Sequence, residues 1–261
     1  MEVSKSFPEE NGGNVVFLSS DNILFYVHQK HLEFSTEGFP PSEIVHSTRE
    51  PVPLPEQALI LELLFQFTTP QVPPDIEEIT FPHLLELAQA AEKYVVHSAI
   101  RICIMKMKEF LPQHPDDIFK FALEHNHDTV IYAIAPRFVA RPFAEMVSIV
   151  PSHLYIPWGM YREQWLEVSQ LLWGPSLNQL NFNKNTNAME LWIKRITKVA
   201  DEIHKDPTLI QQFSDLVSLE RDKLSEREYE FRNWREMLIE KIAEMRGFKS
   251  FVEDHRRQRS E

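Results

Sequence analysis

Residues 81–110, FPHLLELAQAAEKYVVHSAIRICIMKMKEF, constrain the fold of this chain more than any other stretch. Leu84, Leu85, Leu87, Ala88, Ala91 and Tyr94 recur at helical spacing. After a break at Val95–His97, Ile100, Cys103, Ile104 and Met107 recur in the same way. The pattern predicts two tightly joined amphipathic helices, each with an apolar stripe that needs a surface to cover it. It is the pattern of a packing module and carries no reaction centre.

The surface comes from upstream. Asn14 to Leu18 and Ile23 to Val27 are rich in β-formers, and Ser19-Ser20-Asp21-Asn22 between them offers turn chemistry, which predicts a β-hairpin. Gln29 to Phe34 reads as a short helix stopped by Gly38-Phe39-Pro40-Pro41, and a short strand fits around Val52–Leu54. Pro55 and Glu56 open a helix that is apolar nearly all round through Phe67, so a central buried helix is expected there. Thr80 stands at the N-cap position of the helix that follows. From Pro115 onward only helical patterns recur, including a long terminal one with Phe231, Trp234, Leu238, Ile242 and Met245 in one stripe. That stripe covers either the chain's own helices or a partner.

The fold class expected is α+β: a small sheet covered by helices, then an all-α half. The division expected is a flexible arm at 1–13, an α+β domain at 14–112, a helical extension at 113–177, a polar linker at 178–187, and C-terminal helices with a basic tail at 188–261. Asn187 stands where it could cap the first of those helices, and Asp206-Pro207 where it could start the long one. The basic tail, Arg256-Arg257-Gln258-Arg259, reads as a frayed solvated end.

Charge and composition narrow the function. The net charge of −12 repels phosphate backbones, so no nucleic-acid partner is expected. No run approaches the roughly 18 apolar residues that span a bilayer, so no membrane partner is expected either. The opening residues lack the apolar core of a secretion signal. With one cysteine and no Asn-x-Ser/Thr acceptor, the chain reads as intracellular, in cytoplasm or nucleus. No nucleophile elbow, phosphate loop or dinucleotide fingerprint occurs, so no catalytic residue and no cofactor are assigned. An enzyme in the helical half would instead require a pocket with convergent polar groups and perturbed carboxylates.

Three single features have plain structural readings. Glu124-His125-Asn126-His127-Asp128 reads as a helix end, with Asn126 left-handed and Asp128 capping the next helix, and no metal is assigned to it. His28 reads as a hydrogen-bonding residue at a strand end. Cys103, on an apolar face, reads as a buried and unreactive thiol.

Four segments in order resemble the BTB/POZ domain family: Asn14-Val15-Val16-Phe17 through Phe25-Tyr26-Val27-His28 and Leu32, Thr36-Glu37-Gly38-Phe39, Leu63-Leu64-Phe65-Gln66-Phe67, and Leu84-Leu85-Glu86-Leu87-Ala88 through Ala91-Glu92-Lys93-Tyr94 and Cys103. The whole chain, including Tyr161-Arg162-Glu163-Gln164-Trp165, is also similar to fungal BTB proteins without a defined second module. The resemblance implies a non-enzymatic protein–protein interaction adaptor that homodimerises through the first strand and the short helix after the hairpin. By that carry-over the interface residues are Val15, Phe17, Lys30, His31 and Phe34. An alternative role implied by the resemblance is substrate adaptor of a cullin–RING ubiquitin ligase, with a cullin scaffold as partner. The chain departs from the family pattern at Asn14 and Gln29, where dimeric zinc-finger relatives carry Asp and Arg. It departs again at Pro41-Ser42-Glu43, where cullin-binding members carry a hydrophobic-x-Glu motif.

Overall fold

Alternation along two short segments builds the sheet. Val15–Leu18 (β2) and Ile23–Val27 (β3) pair antiparallel, with Val15 opposite Val27 and Leu18 opposite Leu24. Asn22 closes the turn at φ 66°, a left-handed conformation that asparagine tolerates. Two short strands flank the hairpin. Glu2–Val3 (β1) runs parallel to β3, and Val52–Pro53 (β4) runs parallel to β2, giving the order β1-β3-β2-β4. A computed structural model describes residues 2–39, 50–172, 186–205, 207–213 and 228–259. The chain divides into two units, Met1–Ile118 and Phe119–Glu261. The fold is mixed α+β and mostly helical, and among the described residues every strand lies in the first unit.

The segment expected as a flexible arm is built into the first unit. The Ser4 amide donates to Leu24 O at 2.8 Å, and its hydroxyl donates to Glu62 Oε2 at 2.6 Å. Phe7 is buried, its ring 5.8 Å from that of Phe65. One aromatic ring inserted in the core, with strand bonds on either side, outweighs the polarity of its neighbours.

Helix α1 spans Gln29–Ser35, and α2 spans Ala58–Gln66. Ile60, Leu61, Leu64 and Phe65 of α2 are buried beneath the sheet, whereas Leu59 faces solvent. Phe65 is the hub of the core, with the rings of Phe7, Phe17, Phe25 and Phe39 all within 5.8 Å of it. The hairpin turn also holds the start of α2, because the Ala58 amide donates to Asp21 Oδ1 at 2.8 Å. Asp21 thus serves as a cap from a distant turn.

The helical hairpin forms as α3, Phe81–Lys93, and α4, His97–Met107. Thr80 is at the N-cap position of α3, but its hydroxyl bonds the His83 ring and no backbone amide. The buried stripe of α4 is Ala99, Cys103 and Met107, and Ile100 and Ile104 are its half-buried flanks. The break between the helices is a left-handed residue, Val95, at φ 53°. The Val96 amide then closes onto Ala91 O at 2.9 Å. Gly38 lies against this break: its amide donates to Tyr94 O, and a Cβ there would stand 2.7 Å from the Tyr94 backbone. Only glycine fits so close an approach.

The first unit ends inside α5, Pro115–Glu124. The second contains α6 (Asp128–Ile134), α7 (Phe143–Ile149), α8 (Tyr155–Leu172), α9 (Thr186–Lys205), α10 (Glu228–Glu244) and α11 (Phe248–Gln258). Phe248 packs edge-on against Trp158 at 5.4 Å and lies 5.3 Å from Tyr161. The Trp234 indole donates to Leu171 O at 3.1 Å, so this part of the terminal stripe covers the chain's own α8.

Several expectations change here. Residues 178–185 of the expected linker lie outside the described residues, and 186–187 already belong to α9, so Asn187 is not its cap. After Pro207 a 3-10 turn, Pro207–Gln212, stands where a long helix was expected, and 214–227 lie outside the described residues. The basic tail is helical through Gln258. Burial of Phe248, Phe251 and Val252 anchors α11, and Arg256 Nη1 lies 3.5 Å from Asp128. Among the described residues no helix is long and apolar enough to cross a membrane.

Candidate protein-binding surface

The short helix α1 presents two charged side chains and one apolar one outward. Leu32 turns into the core at 5% exposure and seats the helix, which leaves Lys30, Glu33 and Phe34 toward solvent. Lys30 and Phe34 are one turn apart and share a face. Phe34 is 93% exposed, the most exposed large apolar side chain among the described residues. The helix is locked at its start: the Gln29 amide donates to Asn14 Oδ1 at 2.9 Å, and the Gln29 side chain donates to Glu33 Oε1 at 2.6 Å. Asn14 and Gln29, the departures from the charged family pattern, therefore bond to each other.

Of the five residues carried over by resemblance, three reach the surface and two do not. Val15 and Phe17 are interior, at 2% and 1% exposure. Successive strand side chains alternate between faces, and the odd positions of β2 face Phe65. The outward positions are the half-buried Val16 and Leu18. Lys30 and Phe34 are exposed, and His31 is half-buried.

His31 lines a cleft of about 430 Å³ together with Phe7, Asn11, His28, Gln66 and Gln71. Its Nδ1 is buried and has no hydrogen-bond partner. Burial, and then the neighbouring His28 ring 5.0 Å away, lower its pKa below the usual value. His28 Nε2–H donates to Asn11 O at 2.9 Å, which fixes its tautomer, as befits a strand-end residue.

The other residues singled out in the sequence make packing and hydrogen-bond contacts. Burial first, and Glu92 second, push the Cys103 thiol up to about 12, so it is not a nucleophile at neutral pH. Tyr94 stacks on Phe39 at 4.3 Å, and its hydroxyl donates to Glu56 at 2.8 Å, with Lys93 bridging the same carboxylate at 2.7 Å. Burial and that carboxylate raise the Tyr94 pKa. His125 and His127 pack their rings on Phe121 around the left-handed Asn126. Asp128 is the first residue of α6, not its cap; the cap position belongs to His127. Among the described residues no group of three or more His, Cys, Asp or Glu is placed to hold a metal ion. Pro41-Ser42-Glu43 lies outside the described residues.

Sequence reasoning missed the role of Phe7. A lone aromatic among polar residues carries no periodicity to betray it. Comparison of this chain with protein-family models, with curated proteins and with solved structures finds no match.

Proposed function

We propose that this chain is a non-enzymatic intracellular adaptor whose BTB/POZ-like first unit binds proteins and pairs with a second copy through the outer face of α1. The observation that carries the reading is Phe34, 93% exposed on a helix that Leu32 seats and Asn14 holds at its start. Burying such a ring at an interface is worth about 1.5–3 kcal/mol. The order of hairpin, short helix, parallel strand, buried helix and helical hairpin also agrees with the resemblance. Lys30 and Phe34 are the contact residues in this reading, and the interior Val15 and Phe17 serve to hold β2.

The test is light scattering on the full chain at tens of micromolar, for wild type and Phe34→Asp. Wild type is expected as a dimer, and the variant with dimerisation weakened at least roughly tenfold at an unchanged circular dichroism spectrum. A strictly monomeric wild type, or a variant that pairs as well as wild type, overturns the dimer.

A further inference from the structure

We propose that the second unit carries a docking face for a basic amphipathic helix of a partner protein, laid across α7 and α8. This face is separate from the α1 surface, and its occupant is independent of any pairing of the first unit.

Helical spacing sets the face. On α8, Ile156, Met160, Glu163 and Glu167 recur at steps of three and four and share one side. All four are exposed, Ile156 at 59% and Met160 at 54%. Trp158, Tyr161, Trp165 and Val168 are buried on the other side, so packing within the unit fixes which side faces out. On α7, Met146 is buried, whereas Phe143 and Val147, one turn apart, are exposed. The two helices are joined there. The Tyr155 hydroxyl donates to Val147 O at 2.8 Å, and Gly159 lies against the Phe143 ring, where a Cβ would stand 3.9 Å from Cε2. Phe143, Val147, Ile156 and Met160 therefore form one patch. They are four of the eleven exposed large apolar side chains among the described residues. A contiguous apolar patch marks an interaction site, where scattered single side chains do not.

The other half of the face decides the occupant. The stripe of α8 passes from Ile156 into Glu163 and Glu167 within about 16 Å of helix. These two carboxylates are one turn apart and repel each other. Glu163 makes no ion pair with a described residue. Glu167 acts on Lys241, but Glu244 already holds that ammonium at 2.6 Å. The arginines of this region are engaged elsewhere: Arg162 Nε–H donates to Val139 O at 3.1 Å, and the Arg141 guanidinium lies over the Phe138 ring at 4.6 Å. No lysine occurs in the sequence between Lys120 and Lys184. An apolar patch that runs on into carboxylates fits a helix with aliphatic anchors one turn apart, followed by lysine or arginine. A second copy meets this face with the same patch, and so brings glutamates and no cation. An anionic lipid surface is repelled by the same glutamates.

Fluorescence anisotropy of a labelled peptide of about 20 residues, leucine on one helical face and lysine on the other, titrated with the full chain, tests this. The controls are a scrambled peptide of the same composition and a version with glutamate for lysine. The leucine–lysine helix is expected to bind at tens of micromolar or tighter, and both controls at least roughly tenfold more weakly. Met160→Ser, an exposed change, is expected to weaken binding roughly tenfold, and Glu163→Gln roughly threefold with a flatter salt dependence, at unchanged circular dichroism. No binding of the leucine–lysine helix, a control that binds as tightly, or two variants that bind like wild type overturns the face. Two further outcomes also overturn it. Light scattering on the Phe34→Asp chain that shows a dimer, lost on adding Met160→Ser, gives the face to a second copy. Co-sedimentation with phosphatidylcholine vesicles that Met160→Ser abolishes gives it to a lipid surface.

Discussion

Val95 is the most strained of the described residues. A β-branched side chain at φ 53° crowds the following carbonyl, at a cost of about 1–2 kcal/mol. Its neighbours leave little choice, because Val96 must close onto Ala91 while Gly38 presses on Tyr94. Val95→Gly should therefore stabilise the protein by about 1 kcal/mol in urea unfolding, the relief of strain exceeding the added freedom of the unfolded chain. His31 makes a second prediction at this scale. Burial and His28 lower its pKa, so the folded state favours the neutral ring. Stability from this residue is full above the ordinary value of 6.5 and is lost as pH falls through the lower folded value. Thermal melts from pH 7.5 downward should show a steeper loss for wild type than for His31→Gln.

Among the elements, the turn of the hairpin does more than reverse the chain. Asp21 accepts from the Ala58 amide; bonding to Ser19 is the largest influence and lowers its pKa, desolvation opposes it, and the Ala58 amide lowers it further. Asp21→Ala should cost about 1 kcal/mol, as loss of a helix cap does, whereas Asp21→Asn should recover most of it. The hairpin, α2, α3 and α4 were legible in the sequence because each rests on local periodicity or turn chemistry. Glu2–Val3 was not, because its partner Ile23–Leu24 is parallel and reached through a crossover that leaves no short-range signal. The stripe of α4 was legible at Cys103 and Met107, but Ala99 takes the buried place expected for Ile100, since a small side chain carries a weak hydrophobic signal. The candidate surface was half legible. Alternation along β2 could have shown that Val15 and Phe17 share a face, but not which face is covered, and the carried-over interface mixed interior with exterior.

The whole molecule has two aromatic centres, one around Phe65 and one around Phe248 and Trp158. All five tryptophans fall after residue 119, so indole emission reports the second centre only. Phe65→Ala, which should cost about 3–5 kcal/mol through its cavity, is expected to lower the denaturation midpoint seen by far-ultraviolet circular dichroism more than the midpoint seen by fluorescence. Equal shifts would show that the two centres melt together.

The first unit has a built-in reporter of its own. The lone thiol, Cys103, is buried on the inner face of α4 in a chain with no other thiol to compete for a reagent. A maleimide dye can reach it only in the moments when that helical pair parts. The rate of dye uptake under native conditions therefore times those openings directly, with no engineered label and no denaturant.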